Sequence, residues 1–321
     1  MCSLVSIAMC TYNGERFIKE QIDSILNQTY QNFELIITDD CSTDNTINIL
    51  NEYALKDKRI IIYKNEINLG FLKNFEKAIS LCNGDYIALA DQDDIWKPIK
   101  LEAFLNNIKD NVLIYSDAIH IDKDSKEIGS ELIRSGRQLI KGACNEALLL
   151  NNIISGNTLM FKKELVKYIL PIPEKISYHD IWIGFVAATY GTIDYTEESM
   201  TYYRKYREQV TNVDKVSNKN FLDKLNNKKI RWMEIIDERA QDLEVFKTLS
   251  ILKDKETIQI LDNLIFHFKN YNNIYFNTRL YSILKKSLTK IFLIYPPSKR
   301  KRKAFRISAG LKLKTMTFFK L

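Results

Sequence analysis

The chain has 321 residues, of which 45% are hydrophobic and 27% charged, an ordinary balance for a globular protein of one large domain or two smaller ones. Its net charge of +7 is unevenly spread, because residues 263–321 carry 14 lysines and arginines and no acid, which leaves −7 on the first 262 residues. An acidic body with a basic C-terminal end argues against a general nucleic-acid binder and fits a protein that works beside an anionic surface.

Five irregularly spaced cysteines argue against a disulfide framework and favour a reducing compartment. No segment reaches the roughly 18 apolar residues that a membrane-spanning helix needs. Residues 4–9 form a strand-like run without the basic and long apolar regions of a signal peptide. We therefore expect a cytoplasmic protein.

Residues 4 to about 120 alternate strand and helix patterns. Continuous apolar strands joined by helices predict an α/β fold, with a mostly parallel, Rossmann-like sheet covered by helices on both faces. The expected strands are 5–10, 33–38, 59–63 and 86–90, and the expected helices are 15–27, 43–54 and 71–81.

Three of these strands end in unusual polar loops, at 10–14, 38–42 and 91–94. Ligands of parallel sheets bind outside the carboxyl ends of the strands, so we expect the three loops to meet at one edge. The third loop holds three carboxylates within four residues. Such close like charges are costly unless a divalent cation lies between them. Alone, this loop is as consistent with a solvated acidic turn as with a metal site, and the two other loops favour the metal.

The second half of the chain is less regular, and its last 60 residues are basic. We expect strands at 112–120, 157–161 and 193–195, and helices at 162–168, 178–190, 218–245, 256–271 and 275–293. Pro296 and Pro297 then open a basic tail that ends with Met316, Phe318 and Phe319.

The N-terminal half resembles family 2 glycosyltransferases, the inverting, metal-dependent enzymes with a GT-A fold. The matching motifs lie in order along residues 4–210. The combination of Asp-Gln-Asp-Asp-Ile-Trp with a later His-Asp-Ile-Trp is similar to the rhamnosyltransferase-like bacterial subgroup, which builds surface polysaccharides such as capsule and lipopolysaccharide. The motifs are Thr11-Tyr12-Asn13, residues 24–30, residues 33–37 with Asp39-Asp40, Asn68-Leu69-Gly70, Gly84-Asp85-Tyr86-Ile87, Asp91-Gln92-Asp93-Asp94 and His179-Asp180.

The resemblance implies a nucleotide site at the first two loops. Thr11, Tyr12 and Asn13 would hold the base, with the Tyr12 ring as a stacking surface. Asp40 would accept the N3–H of a pyrimidine, and Asp39 is either its structural neighbour or a second contact.

The resemblance also divides the acids of the third loop. Asp91 would lie by the ribose and near the metal, Asp93 would bind the metal, and Asp94 would support them. Mn²⁺ or Mg²⁺ suits these hard oxygen ligands and would neutralise the departing diphosphate. Lys73 and Arg204 are the implied diphosphate contacts, although the residues after Arg204 depart from the subgroup's pattern.

Asp180 is the implied catalytic base, because inversion needs one base on the face opposite the leaving group. The alternative is a plain helix-capping Asp. His179, Trp182 and Asn157 would border the acceptor, although packing, a core aromatic and a plain turn are the respective alternatives.

Together these features predict a GT-A domain at 1–212, with a nucleotide half at 1–110 and an acceptor half at 111–212, then a helical region at 213–295 and the basic tail at 296–321. The enzyme would transfer a single sugar from dTDP-rhamnose or a UDP-hexose to a glycan or lipid-linked acceptor. The Lys228–Trp232 stretch only partly matches the motif of processive family members, which favours one transfer per event.

The tail would bind the inner face of the membrane, since Lys and Arg attract anionic lipids, or else be solvated. A homodimer is a further possibility. Two other function classes remain: a sugar-nucleotide pyrophosphorylase, disfavoured by the single Gly in residues 11–14, and a non-enzymatic module whose tail binds nucleic acid.

Overall fold

The computed structural model describes residues 3–130, 136–206 and 221–309. For residues 221–232 it describes the backbone alone. Helices and strands alternate through the first hundred residues, as the apolar pattern predicts. They are β1 Val5–Thr11, α1 Ile18–Leu26, β2 Phe33–Asp39, α2 Thr46–Lys56, β3 Ile60–Lys64, α3 Phe71–Ser80, β4 Tyr86–Ala90, β5 Ile95–Trp96 and α4 Lys100–Ile108.

The rest of the described chain adds strands to the same sheet and then turns helical. Its elements are β6 Leu113–Ile121, β7 Glu127–Ser130, α5 Asn145–Leu148, β8 Leu159–Lys162, α6 Val166–Ile169, α7 His179–Tyr190, β9 Ile193–Arg204, α8 Phe221–Lys247, α9 Lys255–Lys269, α10 Thr278–Lys286, α11 Leu288–Ile291 and α12 Pro297–Ser308, with 3₁₀ turns at Gly156–Thr158 and Lys163–Leu165.

The described strands form one sheet in the order β3-β2-β1-β4-β8-β6-β9-β5, with β7 beside β6. The four N-terminal strands β3, β2, β1 and β4 are parallel neighbours. The second half of the sheet is mixed, because β8 runs antiparallel to both β4 and β6 while β9 runs parallel to β6. The α/β fold is thus confirmed, with parallel pairing concentrated in the nucleotide half.

The register of β1 brings the polar loops together. Thr11 pairs with Asp39 at the ends of β1 and β2, and Met9 pairs with Ala90, the last residue of β4. The loops that follow these strands therefore open at one edge of the sheet, as expected.

Both faces of the sheet are covered by apolar packing. On β1, Val5, Ile7 and Met9 face one cluster together with α1, α2 and α4, whereas Ala8 faces the other cluster. The second cluster also contains buried residues of α3, α7 and the described C-terminal helices. Phe185 of α7 stacks on Phe246 of α8 at a centroid distance of 4.0 Å. The C-terminal helices therefore share a core with the sheet and do not form a separate one.

Three element predictions are corrected. Strand β5 was not expected, and β9 continues to Arg204, well past the expected end at 195, because β5 and β6 pair with its second half. The helix expected at 275–293 is divided into α10 and α11. The predicted tail at 296–321 begins with the helix α12, whose Ala304 and Ser308 are fully buried. The rest of that tail, with Met316, Phe318 and Phe319, lies outside the described residues.

Candidate active site

The loop after β2 is held by its own two acids. Thr11 donates its hydroxyl to Asp39 at 2.9 Å, and Asp39 also accepts from the backbone N–H and the hydroxyl of Ser42. Asp39 is fully buried, so its carboxylate orders the loop.

Asp40 performs a similar task for the start of α3. It accepts hydrogen bonds from the backbone N–H groups of Leu69 and Gly70, at 2.8 and 2.9 Å, and from the Asn65 amide at 2.7 Å. Gly70 has a φ of +77°, which a side chain would strain. Asp40 thus fixes the Asn68-Leu69-Gly70 loop, and its contact with a base stays a prediction.

About half of the Tyr12 residue is exposed, so its ring is open to a base. Its backbone N–H and C=O form a pair of hydrogen bonds with the side-chain amide of Gln92, at 2.8 and 3.0 Å. Asn13, in contrast, turns its side chain toward the backbone N–H of Thr43. Gln92, which sequence reasoning passed over, therefore ties the first loop to the acidic third loop.

The three acids of the third loop have different surroundings. Asp94 is fully buried and accepts from the backbone N–H of Arg204 at 3.0 Å and from the side-chain amide of Asn157. Asp93 accepts from the hydroxyl of Tyr206 at 2.8 Å. Asp91 has no hydrogen bond within the described chain, so it is the most available of the three.

Burial is the main reason that the pKa of Asp91 rises to about 7, and repulsion from Asp93 and then Asp180 adds to it, while Lys100 acts in the opposite direction. Burial also raises the pKa of Asp94 well above its usual range. A carboxylate in this position gains from a cation that relieves the repulsion.

Two buried cations, Lys100 and Arg204, stabilise the acidic loop. The Lys100 amine donates to the carbonyl of Asn157 at 2.6 Å and to the hydroxyl of Thr201 at 3.0 Å, and it lies 3.6 Å from the Trp96 ring centroid. Burial lowers the pKa of Lys100, while Asp94 and Asp91 favour its charged form. No sequence pattern had singled out Lys100.

Arg204, predicted to bind the diphosphate, is fully buried. It donates to the carbonyl of Asp93 at 2.8 Å and the hydroxyl of Ser125 at 2.9 Å, and it forms an ion pair with Glu20 at 2.7 Å. Arg204 therefore holds the acidic loop in place, and its contact with a diphosphate stays a prediction. Lys73, the other predicted contact, is partly exposed on α3 and pairs with Glu76 at 3.1 Å.

Asp180 lies in the first turn of α7 and lines a cleft of about 220 Å³. The side-chain amide of Asn152 donates to its Oδ1 at 3.0 Å, and the backbone N–H of Gly156 donates to its Oδ2 at 3.2 Å. Burial raises the pKa of Asp180 to about 6, and these hydrogen bonds oppose the rise. The backbone N–H of Gly156 thus contacts Asp180 while the side chain of the next residue, Asn157, contacts Asp94, so the predicted base lies near the acidic loop.

The predicted acceptor contacts are mostly structural. His179 stacks on Phe75 at a centroid distance of 4.0 Å, and burial lowers its pKa to about 3, so its ring is neutral. Trp182 is buried in the core and donates to the carbonyl of Ile169. Asn157 is buried against Asp94. Trp182 is thus a core aromatic and Asn157 supports the acidic loop, and the contact of either residue with an acceptor stays a prediction.

A sequence model described as "Glycosyl transferase family 2" matches residues 6–169, about half of the chain, a range that spans the four neighbouring strands β3, β2, β1 and β4. An uncharacterized glycosyltransferase of Methanocaldococcus jannaschii is 36% identical over 212 residues, which are 63% of this chain and 70% of that protein. The chain belongs to glycosyl transferase family 2.

Other family members align over different lengths. An uncharacterized glycosyltransferase of Haemophilus influenzae is 28% identical over 92% of this chain and 99% of its own length. The Escherichia coli protein WfaP, named as a UDP-Glc:alpha-D-GlcNAc-diphosphoundecaprenol beta-1,3-glucosyltransferase, is 38% identical over 38% of this chain and 48% of its own.

Solved structures support the GT-A fold of this family 2 chain. TarS 1-349 of S. aureus, in complex with UDP-GlcNAc, superposes with a TM-score of 0.61 at 17% identity, covering 99% of this chain and 92% of that one. The mannosyltransferase PcManGT of Pyrobaculum calidifontis, in complex with GDP-Man and Mn²⁺, gives a TM-score of 0.54 at 14% identity, covering 99% and 87%.

The acids of this family 2 chain fit a divalent cation that shares its ligands with a substrate. Within the described residues, no group of three or more His, Cys, Asp or Glu side chains is arranged to hold a metal alone. Asp91 and Asp93 offer hard oxygens, and Mg²⁺ is often bound by one or two carboxylates together with substrate phosphates.

None of the described helices is long and apolar enough to span a membrane.

Proposed function

We propose that this family 2 enzyme transfers one sugar, with inversion, from a nucleoside diphosphate donor to a glycan or lipid-linked acceptor. One observation carries the proposal: the neighbouring residues Gly156 and Asn157 join the proposed base to the acidic loop, because the Gly156 N–H donates to Asp180 and the Asn157 amide donates to Asp94. A base and a nearby acid-rich loop that would hold a cation are the two parts that inverting transfer needs.

The donor half of the site would use the strand-end loops. The exposed ring of Tyr12 offers a face for the base, and the Gln92 amide sets the distance between Tyr12 and the acids. Asp91 and Asp93 would hold Mn²⁺ or Mg²⁺, which when bound neutralises charge on the diphosphate leaving group. Lys73 is the cation that remains for the diphosphate, since Arg204 is occupied by protein groups.

Asp180 would take the proton of the acceptor hydroxyl on its carboxylate. The hydroxyl oxygen then forms a bond to the anomeric carbon, on the face opposite the donor phosphate, as the bond from that carbon to the phosphate oxygen breaks. Asn152 and the Gly156 N–H hold the carboxylate in one orientation. The nucleoside diphosphate leaves with the bonding electrons, and Asp180 later returns its proton to water.

The donor would be a UDP-hexose in preference to dTDP-rhamnose. The Escherichia coli relative WfaP is named for a UDP-Glc donor and a diphosphoundecaprenol-linked acceptor. Bacillus subtilis relatives are named for teichuronic acid biosynthesis and as the glycosyltransferase EpsE. A place in surface polysaccharide synthesis follows from these names, while the rhamnosyltransferase-like motif keeps dTDP-rhamnose as the second donor to test.

The site would work at the inner face of the membrane. Six of the twelve residues of α12 are Lys or Arg and none is acidic, and each basic residue near an anionic surface contributes about 1 kcal/mol. Sedimentation with phosphatidylglycerol vesicles, and not with phosphatidylcholine vesicles, would support this; equal sedimentation would contradict it.

The direct test is release of UDP or dTDP from a panel of nucleotide sugars, with Mn²⁺ or Mg²⁺ and a mixture of glycan acceptors. We expect release from at least one donor, lost on chelation of the metal and in the variants Asp93→Ala and Asp180→Asn. Full activity in both variants would overturn the mechanism, and consumption of a nucleoside triphosphate would instead indicate a pyrophosphorylase.

A further inference from the structure

The cleft that contains Asp180 has an uneven charge pattern. Among the described residues that line it, the carboxylates are Asp117 and Asp180, and the one Arg or Lys is Arg137. The remaining lining residues include the polar Ser116, Ser155 and Thr158. A substrate in this cleft therefore meets negative charge at the proposed base and positive charge at Arg137.

Arg137 has donors to spare. Its Nη1 donates to the carbonyl of Asn152 at 3.3 Å, and within the described chain no carboxylate pairs with it. An arginine carries five N–H donors in a planar fork that matches phosphate oxygens. Asn152 is also the residue whose amide donates to Asp180, so a single residue contacts both the base and this cation.

More positive charge lies behind Arg137. The side chain of Arg239 on α8 is 23% exposed, but its Nη1 atom is buried, has no hydrogen-bond partner in the described chain, and forms a long ion pair with Asp242 at 3.9 Å. Burial lowers the pKa of Arg239, the Asp242 carboxylate opposes this, and repulsion from Arg137 adds to the lowering. Two cations that repel each other are stabilised when an anion lies between them.

Basic residues of α12 lie near the segment that contains Arg137. The Lys299 amine lies 3.2 Å from the place where a side chain at Gly136 would begin. Gln138 donates its backbone N–H to the carbonyl of Ile294 and its side chain to that of Leu293, which fixes the Gly136–Gln138 segment against the start of α12. Basic residues thus run from α12 to the residue beside the base.

We propose that the cleft is an acceptor subsite for a phosphate group, held by Arg137 and placed beside the hydroxyl that faces Asp180. The inference rests on the proposed function. Repulsion from Asp117 and Asp180 would keep the phosphate at the Arg137 end and leave the uncharged hydroxyl at the base. The phosphate could belong to a lipid diphosphate or to a phosphodiester glycan, and both offer the same oxygens.

The test is direct binding of three probes by titration calorimetry without a donor. These are an N-acetylglucosaminyl undecyl diphosphate, a short glycerol-phosphate oligomer that carries N-acetylglucosamine, and uncharged undecyl N-acetylglucosaminide. We compare the wild type with Arg137→Gln, with Arg137→Lys, and with Arg279→Gln as control, because Arg279 is exposed on α10 and outside the lining of the cleft.

We expect the wild type to bind one phosphate probe at least about tenfold more tightly than the glycoside, the effect of one charge-assisted hydrogen bond. Arg137→Gln should remove most of this preference, Arg137→Lys should keep part of it, and Arg279→Gln should keep all of it. The tighter phosphate probe would identify the source.

Equal affinity of the wild type for charged and uncharged probes would overturn the proposal, as would an unchanged preference in Arg137→Gln. If Arg137→Gln fails to fold, the test is whether Arg137→Lys loses part of the preference for phosphate probes over the glycoside. Release of nucleoside diphosphate by the wild type is measured separately, so that failure of the proposed function and failure of this subsite remain distinguishable.

Discussion

Asp91, Asp93 and Asp94 lie within four residues of one another, yet their surroundings give them different chemistry. Asp94 is buried and accepts two hydrogen bonds, and Asp93 accepts one from the Tyr206 hydroxyl. The Asp91 carboxylate has no hydrogen bond within the described chain. The motif predicts acids at a strand end, but only the surrounding side chains show which acid is free. Asp91 is thus a stronger candidate for the cation than its position in the motif alone suggests.

The substitution Asp180→Asn should lower the transfer rate about a thousandfold or more, because an amide cannot take the acceptor proton. For the wild type, the base must be ionised and its pKa is raised to about 6, so the rate should fall as the pH drops below 6 and reach a plateau above 7. Initial rates from pH 5 to 8 measure both effects. An unchanged rate in Asp180→Asn would rule out this base.

The substitution Lys100→Met should lower the free energy of unfolding by about 3 kcal/mol, because it leaves buried acceptors and carboxylates without their cation. The amine donates to Asn157 and Thr201 and faces the field of Asp94 and Asp91. Urea unfolding measures the loss. The exposed Lys301→Met on α12 is the control and should change stability by less than about 0.5 kcal/mol. Equal stability of the two variants would contradict this role for Lys100.

At the scale of elements, the ends of β1 and β4 are coupled through one amide. Gln92 forms two hydrogen bonds with the backbone of Tyr12, and a side-chain carbon at Gly14 would lie only 2.3 Å from the Gln92 side chain. The loop after β1, which contains Tyr12, is therefore positioned by the acidic loop as well as by β1.

The substitution Gly14→Ala should weaken nucleotide binding about tenfold, because overpacking of this order costs about 1–3 kcal/mol. If the cause is the contact with Gln92, the same change in a Gln92→Ala background should cost much less, which a double-mutant cycle on nucleotide affinity measures. Additive effects would show that Gly14 acts through something other than Gln92.

Helix α12 is a second case in which packing decides what an element is. Its sequence reads as a charged tail, but Ala304 is fully buried and the Lys303 amine lies 4.2 Å from the Tyr295 ring centroid. Ala304→Asp should destabilise the protein by about 2 kcal/mol or more, since it buries an unpaired carboxylate. Lys301→Asp, on the exposed side of the same helix, should have little effect on urea unfolding. Equal and small effects would mean that α12 does not pack.

At the scale of the whole molecule, the sequence predicts the parallel half of the sheet well. Its strands are continuous apolar runs between polar loops, and the pairing follows from chain order. It predicts β9 poorly, because Glu197 and Glu198 interrupt the apolar pattern and the pairing with β5 and β6 comes from distant residues. Local patterns carry no information about such contacts.

The candidate site shows the same division. Asp91 and Asp180 follow from motifs that the family shares. The burial of Arg204 does not, because its partners Glu20, Ser125 and the Asp93 carbonyl come from three separate parts of the chain. For the same reason, Gln92, Lys100 and Arg137 carry no local signal that marks them as parts of a site.

Affinity for UDP in the presence of Mn²⁺, measured by titration calorimetry, tests most directly whether the acidic loop serves the donor and Asp180 serves the acceptor. We predict that wild type and Asp180→Asn bind UDP within about threefold of each other, whereas Asp91→Asn binds at least about tenfold more weakly, as loss of a charged contact implies. Wild-type affinity in Asp91→Asn, or loss of UDP binding in Asp180→Asn, would contradict the account.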